Sequence, residues 1–217
     1  MTVTLAELVV ADPPDAWRSA GFSVDDEGDC LVGGVRIRLV GREGGAGIVG
    51  WSLGGLPDPT RAELDGVPTT AAVPSTMPTG PGVHPLGVTH IDHVVLLSPD
   101  LARTTAALAA VGLDVRRERD AVLGGTPMRQ LFFRLGEVIL EVVGAPGSAS
   151  DGPAQLWGVT HTVADVDAAA ALLGERTSPV KDAVQPGRRI TTLRHRDLGM
   201  SVRTALISPH VRRAGPQ

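Results

Sequence analysis

The same short grammar occurs three times along this chain, and a repeat of that kind restricts the fold more than any other feature. An apolar strand-like run leads to an Asp, a short Ala-rich helical run follows, and a Gly closes the unit. The segments are Leu5–Gly21 (LAELVVADPPDAWRSAG), His93–Gly112 (HVVLLSPDLARTTAALAAVG) and Gly158–Gly174 (GVTHTVADVDAAAALLG). Asp12, Asp100 and Asp165 each fall seven positions after the first residue of their segment. An Asp there suits a helix N-cap, because its carboxylate accepts backbone N–H groups that the first turn leaves without partners. A closing Gly suits the left-handed residue that ends a helix.

Strand-like runs follow each helix. They are Phe22–Asp26, Asp29–Val40 and Gly47–Leu53 in the first copy; Leu113–Arg119, Met128–Leu135 and Glu137–Val143 in the second; and Thr177–Ala183, Arg189–Arg196 and Ser201–Ser208 in the third. Each copy reads as a βαβββ module, an α+β class of fold. The expected organisation is a degenerate module at 1–56, a Pro/Gly-rich linker at 57–86, a second module at 87–147, a short linker at 148–153 and a third module at 154–210. A long connection followed by a short one pairs copies two and three into one curved, cleft-lined sheet.

Composition narrows the partners. Hydrophobic residues make up 42% of the 217, enough for a core, and the net charge is −4. Six aromatic residues, none of them Tyr, and an acidic balance argue against a nucleic-acid binder. No apolar run approaches a membrane span, and the first residues lack a basic, then apolar, leader. Cys30 is alone, so no internal disulfide forms. A cytoplasmic protein with a small-molecule ligand is the expectation. Templates such as GxSxG, Walker A, HExxH and CxxC are missing from the sequence, and the Gly-rich run Gly41–Gly47 lacks the Lys of a phosphate cradle.

The lines IDHVVLLSPDLARTTAALAAVGL and QLFFRLGEVILEVVG resemble the start and end of a module of the vicinal oxygen chelate superfamily, which includes glyoxalases, epimerases, extradiol dioxygenases and bleomycin-resistance proteins. Asp182–Leu193 (DAVQPGRRITTL) is similar to actinobacterial glyoxalase-like proteins. The resemblance is best over 87–210 and weaker over 1–56. It implies metal ligands on the first and last strands of each module: His93 and Glu141 in copy two, with Glu141 also moving a proton. An imidazole and a carboxylate on neighbouring strands suit a divalent ion such as Zn, Ni, Mn or Fe, which would polarise a substrate carbonyl.

Copy three offers Gly158 at the His93 position and Thr204 or Ala205 at the Glu141 position. Copy one offers Leu5 and no carboxylate. His161 falls on the opposite side of its strand, and His195 is a weak substitute. Arg188, at a turn entering a strand, Gln185 beside it, and Trp157 before the first-strand position are the candidate substrate contacts. Three functions follow: a metal-dependent lyase, isomerase or epimerase acting on a small carbonyl compound, a metal-free binding protein like the drug-sequestering members, or a degenerate member whose modules serve only assembly. Three modules leave one unpaired, so a homodimer through copy one is expected.

Overall fold

The computed structural model describes residues 2–72 and 83–210. Its larger sheet holds β7 (Val88–Leu97), β8 (Arg117–Leu123), β9 (Thr126–Leu135), β10 (Val138–Gly144), β11 (Gln155–Val163), β12 (Lys181–Asp182), β13 (Arg189–Thr192) and β14 (Arg203–Ile207). Their order is β12-β13-β14-β11-β7-β10-β9-β8. In each half the first strand lies parallel to the last, β7 to β10 and β11 to β14, and the remaining strands run antiparallel. The halves join where β7 pairs antiparallel with β11, with His93 opposite Thr160. Copies two and three therefore form one sheet.

The helices α2 (Leu101–Ala109) and α3 (Val166–Leu173) start where the repeated Asp places them. Asp100 accepts from Arg103 N at 3.0 Å, and Asp165 accepts from Asp167 N and Ala168 N at 2.9 and 3.0 Å. Asp12 does not cap. The helix α1 (Pro14–Ser19) begins after Pro13, so Asp12 lies one residue too early to reach the first-turn N–H groups. Its buried carboxylate accepts instead from Trp17 Nε1 at 3.1 Å, Ser201 N at 2.7 Å and Ser201 Oγ at 2.6 Å.

The N-terminal part departs from a single βαβββ copy. Its strands are β1 (Thr4–Val10), β2 (Asp29–Val32), β3 (Val35–Leu39), β4 (Ile48–Gly54), β5 (Glu63–Leu64) and β6 (Val67–Ala71), in the order β2-β3-β1-β4-β6-β5. The parallel partner of β1 is β3, whereas β4 lies antiparallel to β1 and parallel to β6. This is the pattern of the central six strands of the larger sheet, built with one helix instead of two. Phe22–Asp26 forms no strand, Gly47–Leu53 is not the last strand of the first module, and β5 and β6 occupy part of the stretch expected as a linker. The two-residue β5 and the proline in β6 hid that hairpin from a reading of composition. Residues 73–82 of the same stretch lie outside the described residues. Since β4 covers β1, the premise of an unpaired first module, from which a homodimer was expected, is removed.

Both sheets bury one face. Leu8, Ile37, Trp51 and Leu53 of the smaller sheet and Val94, Leu96, Leu140, Val142 and Phe133 of the larger belong to one continuous core. Trp17 and Phe22 pack on the fully buried His161 of β11, with ring centroids 6.3 and 5.1 Å away. A second clasp forms at Asp65, which accepts from Arg103 Nε at 2.5 Å and from the Thr104 hydroxyl. No described helix is long and apolar enough to cross a membrane.

Candidate functional site

Strand periodicity places His93, Val95 and Leu97 on one face of β7, and all three are half-buried while Val94 and Leu96 are sealed in the core. Glu141 lies opposite Val95, Phe132 opposite Glu141, and Arg117 opposite Phe132. His93 and Glu141 thus share the open face of the larger sheet, with Nε2 3.8 Å from Oε2.

A bulge beside His93 sets its chemistry. The β7–β11 register passes from His93 to Ile91 and skips Asp92. Bulges re-aim side chains, and Asp92 Oδ2 lies 2.8 Å from His93 Nδ1. Burial pulls the Asp92 pKa up. The hydrogen bond and charge of His93 and then those of Arg188 outweigh it, leaving a value of about 2. An ionised carboxylate only accepts, so Nδ1 donates. In the neutral ring Nε2 is then an acceptor aimed at the Glu141 carboxylate. Gln130 fixes the other oxygen: its amide N–H donates to Glu141 Oε1, and its Oε1 accepts from Arg119 Nε at 2.7 Å.

Two acceptors facing one another across 3.8 Å suit a cation. Ligand distances of about 2.0–2.2 Å place two donors of one divalent ion within such a gap. The set stops at two, since no group of three His, Cys, Asp or Glu within reach of one ion occurs among the described residues. These donors fit an ion that water or a chelating substrate helps to hold, not one that the protein encloses alone.

The corresponding positions elsewhere carry no ligand. Arg203 pairs with Gly158, and Ala205 pairs with Thr160, two residues after Gly158 as Val95 is two after His93. The Glu141 counterpart in copy three is therefore Ala205, not Thr204. A Cβ on Gly158 would lie 2.8 Å from the Arg203 carbonyl oxygen, so the close approach of β14 holds that position to glycine. In the smaller sheet Leu5 stands at the His93 position and Arg36 at the Glu141 position, where Arg36 pairs with the buried Glu7 and Arg38 lies 3.3 Å from the same carboxylate. Asp29 lies 3.3 Å from Arg36 as well, so two cations and two carboxylates neutralise one another.

Arg188 does not reach an open rim. It is 2% exposed, with Nη1 2.6 Å from Asp92 Oδ1 and Nε donating to Ser208 O at 2.7 Å. Its donor fork is consumed inside the protein, behind His93. Gln185 is half-buried in the turn before β13, and its backbone oxygen accepts from Arg188 N. Trp157 is 41% exposed at a second bulge, in β11, and the Arg203 guanidinium covers its ring at 4.6 Å. His161 stays in the core, with both ring nitrogens unpartnered. A surface cleft of about 790 Å³ lies instead between α2 and residues 146–149, lined by Asp100, Thr105, Glu118 and Arg129. None of the residues on the His93 face lines it, so its size does not outweigh the chemistry of that face.

Sequence reasoning missed Asp92, Gln130 and Arg119. Period-two spacing puts Gln130 beside Phe132 and Arg119 beside Arg117, but the register that carries them to Glu141 is not written in either strand alone.

No family model matches the sequence, and no curated protein matches it. Solved structures do match over nearly the whole chain. A variant of 4-hydroxymandelate synthase from Streptomyces coelicolor is 15% identical with a TM-score of 0.64, covering 99% of this chain and 94% of its own. A catechol 2,3-dioxygenase is 13% identical with a TM-score of 0.60, covering 100% and 97%. An extradiol ring-cleaving dioxygenase from B. fuscum is 13% identical with a TM-score of 0.55, covering 100% and 74%. Identities this low establish a shared fold, and the match extends through both sheets.

Proposed function

Starting from a chain that carries the vicinal oxygen chelate fold, we propose that its larger sheet catalyses proton transfer on a small carbonyl compound, with His93 and Glu141 at the reacting centre. The observation that carries this reading is the 3.8 Å approach of His93 Nε2 to Glu141 Oε2 on an open face, with every other polar atom of the pair already engaged. Asp92 holds the ring so that Nε2 presents its lone pair. Gln130 holds Oε1, leaving Oε2 either to hold an ion with His93 or, when released from it, to take a proton from the carbon beside the carbonyl and return it. A divalent ion held by His93 and Glu141 would supply Lewis-acid polarisation of that carbonyl. Lyase, isomerase and epimerase reactions all use this step.

Equilibrium dialysis of the full chain against Mn²⁺, Ni²⁺ or Zn²⁺, with and without oxalate as a two-oxygen chelator, tests the reading. About one ion per chain is expected with oxalate present, and His93→Ala or Glu141→Gln should abolish it. No bound ion under either condition would exclude the metal-assisted form. It would favour the second reading, a metal-free small-molecule binding protein, which Gly158 and Ala205 already support by offering no further ligand.

A further inference from the structure

The protein carries a net charge of −4, yet the face around His93 is cationic. Ladder pairing carries the face outward from His93 residue by residue. Arg134 lies opposite Ile139, which is opposite His93. Arg119 lies opposite Gln130, Arg117 opposite Phe132, and Arg203 opposite Gly158, itself opposite Val95. Glu141 is the single carboxylate at these ladder positions apart from Asp92, which Arg188 neutralises in the buried end. The acids of β8, Glu118 and Asp120, alternate with its arginines and so face the other way. None of Arg117, Arg119, Arg134 and Arg203 forms an ion pair with a carboxylate among the described residues.

Arg203 lies over Trp157 and Arg134 donates to Glu137 O at 3.1 Å, so the heads that meet beside an apolar surface are those of Arg117 and Arg119. The guanidinium carbons of Arg117 and Arg119 each lie 5.9 Å from the centre of the Phe132 ring. Arg119 is further held by Gln130, the residue that also holds Glu141; Nε and Nη2 both donate to Gln130 Oε1, leaving the Nη1 side for a ligand. A guanidinium presents donors in a rigid fork that fits carboxylate and phosphate oxygens. The half-buried Phe132, Val95 and Ile139 beside it offer apolar surface.

We propose that this face binds a small organic anion, with its carboxylate or phosphate group at Arg117 and Arg119 and its apolar body against Phe132. The proposal rests on the reading of the His93 face as the ligand site and gives that ligand its chemical class: a carbonyl compound bearing a negative charge. Gln130 couples the two subsites, since one amide touches both the anion-binding arginine and the carboxylate at the reacting centre.

Isothermal titration calorimetry of the full chain with benzoate, phenyl phosphate and benzamide tests this. Benzamide keeps the ring and the shape and removes the charge. Benzoate or phenyl phosphate should bind at least about tenfold more tightly than benzamide, and whichever binds better identifies the anionic group. Arg119→Gln should weaken that binding by about fivefold or more, and the Arg117→Gln/Arg119→Gln double variant should abolish it. Arg129→Gln, on the opposite face, should bind as the parent does. All these side chains are exposed or half-exposed, so an unchanged thermal melt verifies the fold. Equal binding of benzamide and benzoate, no binding of either anion at about 20 mM, or undiminished binding by the double variant would overturn the proposal. Divalent-ion uptake without anion preference would sink this inference and leave the proton-transfer reading. Anion binding without ion uptake would do the reverse to the metal-assisted form.

Discussion

Asp92 Oδ1 lies 2.6 Å from Arg188 Nη1 in the buried end of the site, and the other oxygen of the same carboxylate holds His93. One buried ion pair thus sets the orientation of the imidazole. Arg188→Met should cost about 3–5 kcal/mol, because it leaves a buried carboxylate without its cation. Adding Asp92→Asn should recover most of that loss. Urea unfolding of the three variants measures both quantities, and additive losses would show that the pair is not coupled.

Acid should expose two steps of different origin. Burial first, then the charges of the neighbouring histidines, lower the His161 pKa from 6.5 to about 3. The unfolded chain therefore takes up this proton before the folded one. Stability is complete above pH 6.5 and falls as pH drops toward 3, by up to about 1.4 kcal/mol per pH unit. His161→Leu should remove that slope, gaining about 2 kcal/mol relative to the parent at pH 5. Asp92, lowered from 3.8 to about 2, has the carboxylate sign: its contribution is present above pH 3.8 and is lost as pH falls through 2. Unfolding free energies measured from pH 8 to pH 3 in parent and His161→Leu decide the first limb.

Two of the three aspartates of the shared spacing should respond differently to truncation. Asp100→Ala removes a helix cap and should cost about 1 kcal/mol. Asp12→Ala removes the acceptor of a buried indole N–H and of Ser201 N, and should cost about 3 kcal/mol. Equal losses in urea unfolding would contradict the structural role assigned to Asp12.

Trp17 bridges α1 to His161 across the two halves. Trp17→Ala should cost about 3–5 kcal/mol, and native-state hydrogen exchange should speed up in β11 as well as in α1. Loss of protection confined to residues 14–19 would mean that the halves unfold independently.

The larger sheet was legible because its signals are local. Asp100 and Asp165 cap helices, and His93 and Glu141 occupy strands whose order follows from the repeat. What escaped depends on register or on bulges. Asp92 joins His93 only because β7 carries an extra residue there, and strict alternation would have sent it to the other face. Arg188 looked like a rim residue from its Pro-Gly turn, yet the turn delivers it inward onto Asp92. The pairing of β4 with β1 was hidden because an apolar run such as IVGWSLG suits the last strand of one module as well as the first of the next. The cationic face as a unit depends on register in the same way: Arg117, Arg119, Arg134 and Arg203 are scattered over 87 positions and meet only through ladder pairing.

Gly158 sets a steric limit on what the site can become. The Arg203 carbonyl oxygen of β14 lies 2.8 Å from where a Cβ on residue 158 would sit, and as backbone it cannot rotate away. A Gly158→His substitution meets the Arg203 carbonyl before it meets a metal. Laboratory evolution toward a third protein donor at this position would have to move a strand first.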